Sequence, residues 1–464
     1  MTALRGLAAW TGPVLLGTLT TRVAAGAPDA PMLVLAAVVA PLVALLQPRV
    51  DEPPPHLVSA AATGVSATLI LAASFVPLGD VAALLGGRRW HGVVVAAALL
   101  LLLALMPGVD RWRPVGLAVG GAALVLGLLA LASVTALSPW TAWRDAAARP
   151  ALVFSAHSPW VTDGGWFARR ATLTFGEGHR LVAVAPATFR VVEQDGTGDV
   201  VRDWRLAAGD PLSVRPGDRV TVEAGTRVRF QAGKRVPGAA PSGAAWADAG
   251  AASGVGSVAV LLTLVLGAVG LVPAAGRRGF VAPATLLTLA LAAACWGFYA
   301  VATAPDVMLS GSVAEPLLRV SSAVPGARHL APLGVVALVA LFVAAAGALR
   351  ERVSILTGAR ATVVWLTAVA VAAVASLWPF DPWRLLLAGL GLAAATLAAP
   401  RLAGAGAARV GGWPLHAIGA LTGGAVFAAL VALGPRLPAA LAFAAEWPVV
   451  LAAPAALLVV KLLR

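Results

Sequence analysis

Charged residues, cysteine and lysine are all scarce in this chain of 464 residues. Asp, Glu, Lys and Arg together make up 12% of the residues, whereas soluble domains average about 25%. Hydrophobic residues make up 59%, and the mean hydropathy is +0.88. The shortage of charge excludes a soluble globular protein. The abundance of apolar side chains excludes a disordered one.

The missing motifs exclude most kinds of catalytic site. The single cysteine, Cys295, lies in an apolar run, so the chain has no internal disulfide and no thiolate metal cluster. There is no GxxxxGK[ST], HExxH or GxSxG motif, and no two of the six histidines are spaced as metal ligands on one element. We therefore expect no cofactor and no metal, and we regard an enzymatic activity as the less favoured interpretation.

Apolar segments dominate what is present. A bilayer-spanning helix needs about 20 mainly apolar residues. Segments of this kind predict a mainly α, polytopic helical membrane protein with about 12 transmembrane helices. They lie at 6–25, 31–47, 57–77, 90–107, 114–137, 253–273, 280–303, 330–349, 361–379, 383–400, 413–434 and 437–462.

Basic residues between these segments predict the orientation, because cytoplasmic loops are enriched in Lys and Arg. With the N-terminus inside, the cytoplasmic ends hold Arg5, Arg49, Arg111, Arg113, Arg277, Arg278, Arg350, Arg352, Arg360, Arg401, Arg409, Lys461 and Arg464. The short outer loops hold only Arg22, Arg88, Arg89, Arg319, Arg328, Arg384 and Arg436. We expect both termini inside, and we interpret the net charge of +13 as topology signals and lipid contacts rather than nucleic-acid binding. Only two of the 34 basic residues are Lys, a bias typical of GC-rich bacterial genomes, so the expected location is the bacterial cytoplasmic membrane.

Three regions follow from this pattern. Residues 1–137 form a first region with five predicted transmembrane helices, and residues 253–464 form a second with seven. Between them, residues 138–252 are polar and predict an extracytoplasmic β-domain with a core at about 150–240, followed by a linker rich in Pro, Gly and Ala. Within the second region, residues 304–329 predict an amphipathic helix on the outer surface.

An eight-residue repeat supports the β prediction. It reads GDPLSVRP from 209, GDRVTVEA from 217, GTRVRFQA from 225 and GKRVPGAA from 233. Each unit starts with a turn-forming glycine and continues with alternating apolar positions, the pattern of a half-buried strand. The repeat predicts a small meander, sandwich or barrel with one apolar face made by Leu212, Val214, Val220, Val222, Val228 and Phe230.

Polar residues inside the spans are the candidate functional groups, because ionisable side chains are costly in hydrocarbon. Glu446 is the carboxylate that lies clearly inside a predicted span, and we expect it to face the bundle interior. The candidate intramembrane polar site consists of Glu446, Thr18, Thr21, Arg22 and His416. Further hydroxyls lie in the third span, and the eleventh span carries closely spaced small residues that are typical of tight helix packing.

Three functions remain open from the sequence. The first is a transport or export permease, favoured by the number of spans and by helices interrupted with Gly and Pro. The second is a non-catalytic scaffold or anchor subunit of an envelope complex, which would bind membrane or extracytoplasmic proteins through the β-domain. The third is an envelope enzyme or heme-handling protein. His91 and His329 with SLWPFDPWR at 376–384 resemble the outward histidines and Trp-rich segment of heme-handling proteins in cytochrome c maturation, although the family's full Trp-rich signature is missing.

Overall fold

The computed structural model describes fourteen stretches of the chain and two isolated residues, Val39 and Leu289. They are Val39 and residues 57–105, 112–147, 165–166, 171–175, 178–195, 198–223, 226–231, 254–271, 289, 291–300, 317–318, 330–378, 382–403, 412–434 and 439–464. Thr18, Thr21, Arg22, His329 and most of the predicted outer amphipathic segment 304–329 lie outside these residues.

The described part is mainly helical, with a small antiparallel β region. The helices are α1 (Leu57–Leu84), α2 (Arg89–Leu105), α3 (Trp112–Thr135), α4 (Pro139–Ala147), α5 (Gly254–Leu271), α6 (Leu291–Ala300), α7 (Ala331–Thr357), α8 (Ala361–Ala375), α9 (Pro382–Leu402), α10 (Gly412–Leu433), α11 (Ala439–Glu446) and α12 (Val449–Leu463). Most of their bounds lie within a few residues of the predicted spans.

Five helical stretches in the described residues are long and apolar enough to cross a membrane. They are Leu57–Leu84, Pro114–Thr135, Ala331–Ala375, Pro382–Leu402 and Pro414–Leu433. Four shorter apolar helices accompany them, at Arg89–Ala104, Val258–Leu271, Leu291–Ala300 and Val449–Leu463. The mainly helical architecture with membrane-length apolar helices is therefore confirmed, whereas the predicted number of about 12 spans is not shown.

Helix α1 packs against α2, α7, α8 and α9. Ser59 lies beside Leu356, and the rings of Phe75 and Phe342 are 5.5 Å apart, so α1 and α7 are antiparallel. A Cβ on Gly64 would lie 3.1 Å from Val364, which places the start of α8 beside the start of α1. The chain therefore reverses between α7 and α8, at Gly358, whose φ of 56° favours glycine.

The β region consists of eight strands in two sheets. The strands are β1 (Gly165–Trp166), β2 (Ala171–Thr174), β3 (His179–Ala183), β4 (Ala187–Asp195), β5 (Gly198–Leu206), β6 (Pro211–Val214), β7 (Arg219–Val222) and β8 (Arg227–Phe230). One sheet has the order β1-β8-β3-β6 and the other β2-β7-β4-β5, with antiparallel pairing throughout. Buried side chains from both sheets form one apolar cluster, so the domain is a sandwich.

The eight-residue repeat builds two equivalent turns between strands. Gly209 and Gly217 have φ of 89° and 94°, and each is the third residue of a turn closed by a backbone hydrogen bond. In each turn an aspartate carboxylate also accepts a hydrogen bond from the first residue: Asp210 from Ala207 at 2.8 Å, and Asp218 from Arg215 at 2.7 Å. These are type II turns, in which a positive φ at the third position requires glycine.

The same repeat sends successive strands to alternate sheets. Strand β6 pairs with β3, β7 pairs with β2 and β4, and β8 pairs with β1 and β3. The six residues predicted to share an apolar face are all buried: Leu212, Val214, Val220, Val222, Val228 and Phe230. Of the three predicted arrangements, the described strands form the sandwich and not the meander, because the repeat units face one another across the core rather than lying side by side.

Candidate functional site

Glu446 is exposed, and the expectation that it faces the bundle interior is wrong. It is the last residue of α11, and the helix breaks at Trp447 and Pro448 before α12 begins. The buried face of this segment runs through Ala444 and Val449. Two residues along a helix correspond to about 200°, so Glu446 points away from the side that Ala444 buries.

His416 is buried, but it lies at the opposite end of its helix pair from Glu446. A Cβ on Gly419 of α10 would lie 2.5 Å from Val460 of α12, whereas one on Gly434 would lie 3.2 Å from Ala445. The helices are therefore antiparallel, and Glu446 lies level with the end of α10. Gly434 lies 18 residues after His416, which corresponds to about 27 Å along the axis. The structure does not bring these two predicted site residues together.

The hydroxyl groups of α1 interact mainly with the backbone of their own helix. Thr63 donates to the Ser59 carbonyl at 2.6 Å and Thr68 to the Gly64 carbonyl at 2.8 Å. Ser74 donates to the Ile70 carbonyl at 2.8 Å. Hydroxyl groups that donate to their own helix already have a hydrogen-bond partner inside an apolar bundle. They therefore offer little polar surface to a transported substrate.

A buried carboxylate that the sequence reading missed lies near the end of α1. Asp80 is buried and pairs with Arg89 at the start of α2, with 2.9 Å between Oδ1 and Nε. Helix α1 continues seven residues beyond the predicted end at 77, and this continuation places Asp80 within the helix. The pair ties α1 to α2 at the tip of a helical hairpin, where Gly79 and Gly92 also allow close approach.

Arginines at one end of the bundle donate hydrogen bonds to carbonyls in the last turns of neighbouring helices. Arg350 reaches the Leu103 and Ala104 carbonyls at the end of α2, at 3.2 and 2.9 Å. Arg352 and Arg401 are buried and reach Gly270 and Val269 at the end of α5, at 3.0 and 3.3 Å.

Arg464 completes the group by donating to Ala403, just beyond α9, at 3.2 Å. We call this side of the bundle, defined by Arg350, Arg352, Arg401 and Arg464, the arginine end. Cations are favourable at helix C-termini because the carbonyl groups there carry partial negative charge.

Very close contacts join α10 to α9 and α12. A Cβ on Gly423 of α10 would overlap the Ala395 carbonyl oxygen of α9, and one on Gly419 would lie 3.1 Å from Pro400. Helix α9 contains a π-helical turn at Ala394–Ala398, six to two residues before Pro400. Proline lacks the N–H that would bond one turn back, which favours a local widening of this kind.

The most exposed part of the sandwich is β5, an edge strand of nine residues. Residues 200–205 are exposed on both faces, including Val201 at 58% and Trp204 at 41%. On the outer face, Arg190 Nε lies 2.9 Å from Asp203 Oδ1. This hydrogen bond holds the pKa of the Asp203 carboxyl below its usual value. Among the described strands β5 pairs only with β4, and an edge of this kind with large apolar side chains is a surface for pairing with another chain.

Within the described ranges, no group of three or more His, Cys, Asp or Glu side chains could hold a metal ion. His91, one of the two histidines considered for heme handling, is exposed, and its Nδ1 accepts a hydrogen bond from the Arg88 backbone at 3.1 Å.

Comparison with known proteins gives no family model, no curated protein and no solved structure that matches this chain.

Proposed function

We propose that this chain is a non-catalytic scaffold of the bacterial cytoplasmic membrane that presents its β-sandwich to other envelope proteins. The observation that carries the proposal is the exposed edge strand β5, with Val201 and Trp204 uncovered. Partners that add a strand to such an edge gain affinity from main-chain hydrogen bonds and specificity from alternate side chains. The scaffold would act by binding partner proteins and fixing their position at the membrane.

The packing of the described helices favours a scaffold over a transport path. Thr63 and Thr68 of α1 donate to carbonyls of their own helix, and Arg352 and Arg401 donate to carbonyls at the end of α5. His416 and Glu446 lie at opposite ends of the pair formed by α10 and the α11–α12 segment, so they form no common polar site. A path across the bilayer needs polar groups that converge near its midplane.

The arginine end supports the orientation of the scaffold. Its four arginines belong to the set that the sequence assigns to the cytoplasmic side. The junction between α3 and α4 lies at the opposite end, because α3 runs antiparallel to α7: Gly116 lies beside Ala344, and Gly120 beside Ala337. With the arginine end in the cytoplasm, the β-sandwich that follows α4 is outside.

A photo-crosslinking side chain at position 204 of the full-length protein tests the scaffold function in living cells. We expect a discrete protein adduct from position 204, because among the described strands β5 is paired on one side only. Position 180 provides the control, since Arg180 is exposed but lies on β3, which is paired on both sides. Equal and negligible crosslinking at the two positions, in folded protein, would contradict the proposal.

Transport remains the second candidate, and the π-helical turn in α9 is the observation that favours it. Such turns are frequent at functional sites, and this one contains the buried Thr396. In a Cys295→Ser background, Thr396→Cys should react with a water-soluble thiol reagent if a polar path reaches this turn. A scaffold predicts no reaction in native protein and full reaction after denaturation.

A further inference from the structure

The short helix α4 presents two tryptophans that the rest of the described protein leaves uncovered. Trp140 is 68% exposed and Trp143 is 39% exposed, and their ring centroids are 4.5 Å apart. Arg144 is exposed beside them. Positions 140, 143 and 144 fall on one face of a helix. We call these three residues the tryptophan face.

The opposite side of α4 is anchored to the helical bundle. Ala142 is completely buried in the main apolar core. Tyr299 Oη donates to the Leu137 carbonyl at 2.6 Å and so holds the connection between α3 and α4. Ser138 caps α4, since its Oγ accepts from the Thr141 backbone at 3.1 Å. These contacts hold the tryptophan face at one orientation on the bundle.

The position along the chain indicates what covers this face. Helix α4 begins four residues after Thr135, where the membrane-length stretch Pro114–Thr135 ends. The turn between them includes Ala136, which has a φ of 53° and redirects the chain. A helix redirected at the end of a span lies at the depth of the lipid headgroups.

The side chains of the tryptophan face match that depth. Indole rings concentrate at membrane interfaces, where the apolar ring meets the acyl chains and the N–H meets water and headgroups. An arginine beside them can extend towards lipid phosphate. Two large rings facing bulk water would be unfavourable, whereas the same rings in the headgroup layer are stabilised.

We propose that the tryptophan face is a phospholipid-binding surface, which seats α4 in the headgroup layer at the membrane face opposite the arginine end. The proposal rests on the membrane location given under Proposed function. It goes further by assigning to α4 the role of holding the start of the outer segment against the bilayer. The partner is the phospholipid surface itself.

Site-directed spin labelling of the full-length protein in phosphatidylcholine nanodiscs tests this inference. Trp140→Cys and Trp143→Cys are made separately in a Cys295→Ser background and labelled, and collision with oxygen is compared with collision with a water-soluble nickel complex. Both labels should show an oxygen-to-nickel ratio several-fold above that of Trp204→Cys, the reference on the β-sandwich. Gel filtration selects folded protein, and two independent positions guard against a variant that fails to fold.

Leu129→Cys provides the internal membrane reference, because Leu129 is exposed on α3. If labels at 140 and 143 behave like the label at 204 while the label at 129 is oxygen-accessible, the lipid-binding surface is refuted and the membrane location stands. If the label at 129 is also water-accessible, the membrane location fails. Labels at 140 and 143 shielded from both reagents, or broadened by a second copy, would show that protein covers the face and would also refute the inference.

Discussion

The helical bundle and the β-sandwich solve the same packing problem with opposite choices of side chain. In the bundle the tightest contacts occur where a side chain is missing, as at Gly423 against the Ala395 carbonyl. In the sandwich, the core is made by large or branched side chains such as Phe189, Val220 and Phe230. Lipid offers no hydrophobic gain for apolar helices that associate, so close backbone approach and dispersion must stabilise the bundle. Water around the sandwich makes burial of apolar area the main stabilising term.

The sharpest way to break the bundle is therefore to enlarge a glycine. Gly423→Leu should lower the stability of the full-length protein by about 3 kcal/mol or more, because its side chain must displace α9 backbone. Thermal unfolding in detergent, followed by tryptophan fluorescence, measures the loss. Ala425→Leu on the exposed face of α10 is the matched control and should leave the midpoint nearly unchanged. Equal midpoints for the two variants would show that the close contact is unimportant.

The sandwich should instead break when a core side chain becomes charged. Val220 is fully buried, and its strand pairs with β2 and β4, opposite Leu173 and Val191. Val220→Asp should destabilise the domain by about 3 kcal/mol, because the carboxylate would be buried without a partner. Protease cleavage between residues 165 and 231 in the full-length protein gives the readout. Val201→Asp on the exposed edge should remain resistant, and rapid cleavage of both variants would argue against the assigned core.

Polar contacts in the bundle should matter less than its packing. Asp80→Asn removes the carboxylate that pairs with Arg89, whose side chain is nearly half exposed. Water screens such a pair, so we expect a loss of about 1 kcal/mol in thermal unfolding. Arg89→Gln and the double variant complete the cycle. Strict additivity of the two single effects would mean that Asp80 and Arg89 do not interact energetically.

The smallest expected effect is the pH dependence of the exposed pair on β4 and β5. Arg190 lowers the pKa of Asp203 from its ordinary value of 3.8, so the stabilisation is present above that pH and is lost as the pH falls through the lower folded value. Wild type and Arg190→Gln should differ slightly in unfolding midpoint at pH 7 and converge in strong acid. A difference that grows on acidification would have the wrong sign for this pair.

The sequence predicted the sandwich core better than it predicted the strand pairing. Every second residue of a strand faces the same side, so period-two alternation predicts the buried positions correctly. They are Leu212, Val214, Val220, Val222, Val228 and Phe230. Alternation contains no information about which strand is the neighbour, and so the sequence leaves a meander, a sandwich and a barrel open. The Gly-Asp turns connect strands across the core, a choice that depends on contacts such as the one between Gly217 N–H and the Phe175 carbonyl.

In the bundle, composition predicted where helices lie but gave little information about which face is buried. Almost every residue is apolar, so the pattern that marks the inner face of a soluble helix is weak. An apolar window surrounds Glu446 and predicts an inside position, yet Glu446 lies about 200° around α11 from the buried Ala444 and is exposed. The predicted span 57–77 ends before the polar Asp80, so the sequence does not place this carboxylate in a helix. The arginine caps join residues that are 61 or more positions apart in the sequence, so they leave no local signal.

The arginine end also has a consequence for the order in which this protein is made. Helix α5 ends at Leu271, but the guanidinium groups that bind its last carbonyls belong to Arg352 and Arg401, which leave the ribosome much later. Until these two arginines are synthesised, their hydrogen bonds to the Gly270 and Val269 carbonyls cannot form. The final packing of α5 thus depends on segments that are made later. A chain interrupted before residue 352 lacks both of these arginine hydrogen bonds.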